Sequence, residues 1–327
     1  MIDEEYIYQS VSVHLCEKDM LDEKDVEDLA AAAGVEEVYS ILGEKGWAVA
    51  GLSAAAADAD RLLVEQENMA WEFVESLLGD LTPLDVLRCA NDYHNLKAAV
   101  KLAYSDDDAD PGRCFLKGVA DAADILEAAK AHDFSALPPD MAEAGKQAYE
   151  TLAHTGNGQL SDMIIDKAAL IAIDKAGGET KSSLMKEYAK LTVDGANIKA
   201  AVRCCNMGKP RDFTEQAIAP AGTLDTEALV KAAAEDLESI YEYLSYTEYS
   251  GAADVLRQGI AAFERWCENR IIAAIRPQRE EFFSIDPMAA YILARLSEIR
   301  TVKLIMAAKA NALDMSVISE RLCETYV

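Results

Sequence analysis

Apolar side chains recur every three or four residues through most of this chain and rarely alternate, so the pattern predicts helices and hardly any strands. The clearest case is DYHNLKAAVK, Asp92 to Lys101. Wound at 3.6 residues per turn, it sets Leu96, Ala99, Val100 and then Ala103 along one stripe. Asp92, four residues before Leu96, falls on the same stripe, so a carboxylate is expected on the inward side of an apolar row.

Nearly the same helix is written again 102 positions later as DGANIKAAVR, Asp194 to Arg203. A fainter third copy, EIRTVKLIMA from Glu298, follows after another 104 and keeps the acid, an aliphatic residue at Val302 and Lys303. Asp194 precedes Ile198 and Val202 as Asp92 precedes Leu96 and Val100, and Glu298 precedes Val302 and Met306. Asn95, Asn197 and Thr301 stand three residues after the acids. A period near 100 residues predicts three similar helical units, 1–108, 109–212 and 213–327, divided by the turn-rich stretches SDDDADPG from Ser105 and Gly208 to Thr223.

Capping signals punctuate the same period. Thr82-Pro83, Ser182-Ser183 and Asp286-Pro287 are expected to open the three long helices. Leu-Asp pairs at Leu21, Leu224 and Leu313 predict N-caps at Asp22, Asp225 and Asp314, each with an aliphatic residue placed for a hydrophobic staple: Val26, Leu229 and Ile318. The last of these starts more helix than the third unit needs, and it is expected to pack back on the first.

The repeated polar positions have two readings. They line a central space open to a partner, or, more simply, each acid satisfies a local donor inside its own unit. Composition narrows the partners. A net charge of −27 opposes nucleic acid and bare anionic lipid, no apolar run is long enough to span a bilayer, and the acidic start is unlike a signal peptide, which together predict a cytoplasmic protein. The seven cysteines form no CxxC pair and read as reduced structural thiols.

Catalytic signals are thin. The four histidines lie in unrelated contexts, no phosphate-binding glycine motif is present, and GGETKSS from Gly177 reads as a turn and a helix cap. No catalytic, metal-binding or cofactor-binding residue is assigned, and no cofactor is expected. YEYLSYTEY, Tyr241 to Tyr249, is the best candidate for a recognition surface, against the plainer reading of a helix packed on its own unit.

NDYHNLKAAVK from Asn91, IAPAGTLDTEALV from Ile218, the run from Asp286 to Val327, and YIYQSVSVHLCEKDML from Tyr6 resemble the C subunit of the A/V-type ATPases, whose eukaryotic relative is the d subunit of the V-ATPase. The resemblance covers the whole chain. It implies an all-α protein of three similar units arranged with pseudo-threefold symmetry as a funnel. It also implies a non-catalytic central-stalk role, with the membrane proteolipid rotor ring on one side and the central shaft subunits on the other, peripheral to the membrane. Thr301, where the family pattern has asparagine, and Ser284-Ile285-Asp286 before Pro287 depart from that pattern. The runner-up from another class is a free-standing acidic helical scaffold that binds a basic protein.

Overall fold

The computed structural model describes residues 6–53, 55–105, 115–313 and 318–327, and among them helix is the only regular secondary structure. The all-α class read from the sequence is the class of the fold. In chain order the helices are α1 (Ile7–Cys16), α2 (Glu23–Ala31), α3 (Val35–Glu44), α4 (Ala56–Leu78), α5 (Asp85–Ser105), α6 (Ala122–Ala131), α7 (Pro139–Thr155) and α8 (Gly158–Glu179). They continue with α9 (Ser183–Asn206), α10 (Arg211–Ala217), α11 (Thr226–Glu235), α12 (Leu237–Ser245), α13 (Ala252–Leu256), α14 (Ile260–Ile275) and α15 (Asp286–Ala310). They gather into two compact units, one built from the chain up to Pro83 with Gln258–Val327, the other from Leu84–Arg257. Compactness groups helices by contact, whereas a repeat groups them by sequence, and the second unit contains both the first and the second decamer.

In the unit formed by the two ends of the chain, α15 is the central element and packs against α4, α1, α14, α2 and α3. Its first half is apolar on every side because neighbours surround it: Met288, Ala289, Ala290 and Ile292 are all fully buried. Val302, Ile305 and Met306 further along meet Leu29, Val38, Leu42 and Leu62, and Ile318 joins them from the C-terminal segment. That segment leaves the helical state after Ser319. It is tied down by Arg276, which donates to Glu324 at 2.7 Å and to the Thr325 carbonyl at 2.6 Å, and by the Tyr326 hydroxyl on Glu17 at 2.9 Å.

In the unit of residues 84–257, α8 packs against α5, α7 and α9. The stripe read from the first decamer is the core: Leu96, Ala99 and Val100 are at most 1% exposed and meet Ile125, Ala128, Phe134, Ala148 and Ile165. Ile198 and Val202 are buried in the same way on α9.

Two of the three expected helix openings differ in detail. Ser182 caps α9, its side chain accepting the Met185 N–H at 2.9 Å. Thr82, however, lies in a short 3₁₀ turn ahead of α5 and donates its hydroxyl to Asp80 at 2.7 Å, because an aspartate two residues back offers a closer acceptor. At α15 the cap position is Ile285, with no side-chain cap bond, and Asp286 is already inside the helix ahead of Pro287. The stretch from Gly208 to Thr223, expected as a linker, contains α10. Pro210 fixes its entry, Arg211 bonds Glu215 one turn on at 2.8 Å, and Thr214 is fully buried. SDDDADPG lies almost wholly outside the described residues.

The closeness of α8 and α9 depends on Gly177, where an added Cβ would stand 2.5 Å from the Ala189 Cβ, whereas Gly178 next to it has nothing within 4 Å. Gly177→Ala is therefore expected to lower stability by about 1–3 kcal/mol through overpacking. Gly178→Ala should be neutral or raise stability by up to about 1 kcal/mol through helix propensity. Urea unfolding of the two variants side by side checks the contrast, and equal effects would remove the close-approach argument.

Candidate functional site

The repeated polar residues are buried, which forces the question of what satisfies them. Asp92 is 5% exposed, and Asn95, Asp194 and Asn197 are fully enclosed. A buried carboxylate or amide without partners costs several kcal/mol, so each needs donors or acceptors inside the fold.

On α5, Asn95 pairs both ways with one residue. Its Oδ1 accepts the Leu116 N–H at 2.8 Å and its Nδ2 donates to the Leu116 carbonyl at 2.8 Å. One turn earlier, Asp92 Oδ1 accepts the N–H groups of Val119 at 2.8 Å and Ala120 at 3.0 Å. The second copy treats its own connector alike. Asn197 accepts from the Ala219 N–H at 2.9 Å and donates to the carbonyls of Ala219 at 3.0 Å and Ala221 at 3.2 Å. Asp194 Oδ1 accepts the N–H groups of Thr223 at 2.9 Å and Leu224 at 3.4 Å, while Oδ2 receives the hydroxyls of Thr223 at 2.5 Å and Tyr249 at 2.8 Å.

Each clasped connector turns at once into a helix through a capping aspartate. Asp121 accepts from Ala123 at 2.8 Å at the start of α6, and Asp225 from Ala228 at 3.0 Å at the start of α11. The close approach of backbone to carboxylate leaves no room for a side chain just before the bonded N–H groups. A Cβ on Gly118 would stand 1.9 Å from Asp92 Oδ1 and one on Gly222 would stand 2.2 Å from Asp194 Oδ1; Gly222 also sits at φ +86°. Gly118-Val119-Ala120-Asp121 and Gly222-Thr223-Leu224-Asp225 are thus one motif in two places. Sequence reasoning paired Leu224-Asp225 with Leu21-Asp22 and missed Ala120-Asp121, because alanine stands where the others have leucine. The glycine three residues before each capping aspartate was the signal that could have found it.

The third copy makes a shortened version of the clasp. Glu298, 8% exposed on α15, accepts the Leu21 N–H through Oε1 and an Arg295 N–H through Oε2. Asp22 then caps α2 in a capping box, exchanging bonds with Asp25 at 2.8 and 3.1 Å. The connector held by the third acid is therefore the one near the start of the chain. Arg295 also donates to Gln66 at 2.8 Å and lies over the Trp47 ring at 5.4 Å. Thr301 makes no clasp of this kind among the described residues, its side chain offering one short hydroxyl where asparagine has a separate carbonyl and amino group. It lines a cleft of about 210 Å³ with Arg265, Glu268 and Arg300.

Other expectations fall out as follows. Asp22 and Asp225 are N-caps, and Leu21 and Leu224 before them are buried. Asp314 lies outside the described residues, and Leu313 is 49% exposed while Ile318 is buried, unlike the other two pairs. The tyrosine run is mostly internal: Tyr241 and Tyr249 are buried, Tyr243 donates to the Asp225 carbonyl at 3.1 Å, and Tyr246 alone is strongly exposed at 83%. Tyr249 belongs to the Asp194 clasp, so that tyrosine serves the fold. No group of histidine, cysteine or acidic side chains among the described residues is arranged to hold a metal ion.

Burial shapes the electrostatics of the clasps. It pushes the Asp92 carboxyl up to about 6, with the N–H groups of Ala120 and Val119 pulling the other way. It pushes Glu298 up to about 7, against the Arg295 guanidinium and the Leu21 N–H. The folded state consequently binds a proton at Glu298 between its ordinary value of 4.5 and about 7, where the unfolded chain has released it. Stability therefore falls as pH rises through that window and levels above it, and Asp92 contributes with the same sign between 3.8 and about 6. Glu298→Gln, which keeps an acceptor for Leu21 without the charge, is expected to flatten the decline of the urea midpoint between pH 5 and 7.5. An unchanged slope would show that Glu298 does not titrate there. Asn197→Leu removes three bonds to the Ala219–Ala221 connector, leaving the Ala219 N–H and the Ala221 carbonyl unsatisfied while the Ala219 carbonyl keeps the Ala221 N–H, and is expected to cost about 3 kcal/mol or more. Thr301→Leu, which breaks no clasp, should stay within about 0.5 kcal/mol, and equal losses in the two unfolding curves would discredit the clasp as a stabilising device.

No curated protein matches the chain. A family model described as ATP synthase (C/AC39) subunit matches residues 10–321, a span that takes in all three copies of the repeat. With nearly its whole length so matched, and with the helical class that the resemblance implied, the chain belongs to the ATP synthase (C/AC39) subunit family of the A/V-type ATPases.

Proposed function

We propose that this chain is a non-catalytic central-stalk subunit of a V-type ATPase or ATP synthase, seated between the membrane rotor ring of proteolipid subunits and the central shaft so that both turn together. The observation that carries the reading is the family match from residue 10 to residue 321. A coupling role needs stiffness rather than chemistry, because torque passes through many packed contacts instead of one reacting group. The clasps supply a reason for stiffness. The stretches just before α6, α11 and α2 are each bonded to the face of a long helix, which restrains them.

No helix among the described residues is long and apolar enough to cross a membrane, which suits a peripheral protein held there by its partners. On this reading it works at the cytoplasmic side of the complex, with no nucleotide or cofactor of its own. The net charge of −27 favours basic surfaces on the partners, which it steers into place at low ionic strength.

Purification of the tagged protein from its own membranes, with co-purifying chains identified by mass spectrometry, tests the role. Proteolipid and shaft subunits are expected, recovered in smaller amount as salt in the wash rises. Recovery of a soluble basic protein without any other ATPase component would replace the rotor role with the acidic scaffold, and recovery that does not change with salt would remove the electrostatic part.

A further inference from the structure

The first helix is turned the opposite way from an ordinary surface helix. The inner side of α1 carries Ser10 and Val13, both fully enclosed, and the Ser10 hydroxyl has no hydrogen-bond partner among the described residues. Its outer side carries Ile7, Tyr8, Val11 and Leu15, a stripe about 100° wide at 3.6 residues per turn. All four are exposed, Tyr8 at 72% and Leu15 at 57%, whereas an amphipathic helix ordinarily buries such a stripe. Every other helix among the described residues leaves at most one large apolar side chain exposed.

The stripe does not end with α1. The loop ahead of α15 is fixed beside it by His14, whose Nε2 donates to the Glu281 carbonyl at 3.0 Å and whose ring meets Phe282 edge-on at 5.0 Å. Phe283, the next residue, is exposed and extends the apolar surface. None of the ten residues of α1 is Asp, Glu, Lys or Arg, in a chain that is 27% charged. Single exposed apolar residues are ordinary, but several gathered on one uncharged face mark a contact surface.

We propose that the stripe Ile7, Tyr8, Val11 and Leu15, with Phe283 beside it, is where an apolar, uncharged segment of the proteolipid ring docks. This inference rests on the rotor reading and says which surface meets which partner. Charge separates the two partners: the acidic remainder of the chain suits a basic surface, whereas an uncharged stripe is matched by the more apolar of the two, the proteolipid. A second copy of this chain fits poorly, because each copy carries a net charge of −27 and five side chains fall well short of the roughly 20–30 residues a side of a stable pair. Within an assembly that other surfaces already hold together, a patch of this size is enough to fix one contact.

The test is made on the tagged full chain, purified from its own membranes through a high-salt wash that removes the electrostatic part of the binding. Val11→Ser with Leu15→Ser is expected to lower recovery of the proteolipid at least ten-fold, with shaft subunits recovered as before and the melting temperature of the isolated chain unchanged. Tyr8→Ser alone gives the same readout at smaller amplitude should the double variant be less stable. Tyr246→Ser, equally exposed but far along the chain in the other unit, should change nothing. Wild-type protein that brings down ring and shaft while the double variant still brings down the ring in full overturns this inference and leaves the rotor reading intact. Loss of the shaft alone, or of both alike, also overturns it, as does binding of the wild-type chain to phosphatidylcholine vesicles that the double variant lacks, which would make the stripe a lipid contact. Wild-type protein that brings down neither ring nor shaft removes the rotor reading, and this inference with it.

Discussion

An irregular connector that runs across the face of a buried helix has peptide groups with no ladder to join, and in the interior each unpaired group costs as much as a lost core contact. This chain meets that constraint with one device. A carboxylate and an amide one turn apart on the long helix accept and donate to the connector, and an aspartate at its end starts the next helix. The inward stripe of the decamer thus holds two polar positions by necessity. Leucine there would pack against the connector while leaving its N–H and C=O groups unsatisfied.

The device also explains which residues must accompany it. Bringing backbone to within hydrogen-bond distance of a carboxylate on a packed helix leaves no space for a Cβ just before the bonded N–H groups, which places Gly118 and Gly222. The third copy lacks a glycine at that point, where Asp19 stands, and it has Glu298 in place of aspartate. A side chain one methylene longer accepts the Leu21 N–H, and Arg295 fills the other oxygen that Thr223 and Tyr249 serve in the second copy. The three clasps are the same solution reached with different side chains.

Much of this was legible in the sequence, and the parts that were not have physical reasons. The period of the apolar positions gave the helices and the core stripe, because burial of Leu96, Val100, Ile198 and Val202 is what that period encodes. The acids and asparagines stood out through their repetition. Their partners did not, since a backbone N–H has no sequence signature and the connector lies 20 to 30 residues away, or at the far end of the chain in the case of Leu21. Tyr249 looked like part of an aromatic surface because its composition is visible in the sequence and its hydrogen bond to Asp194 is not.

One decamer therefore carries two unlike duties on opposite sides. Asp92 and Asn95 face the core and fix the next segment of chain, while Lys97 pairs with Asp166 of α8; Asp194 and Asn197 clasp their own connector in the same way. A helix whose inner side is bonded to its connector is held there by those bonds as well as by the packing of its apolar stripe. The repeat is thus kept at Asp92 and Asn95 by what the connector needs, and at Lys97 by a carboxylate of the neighbouring helix.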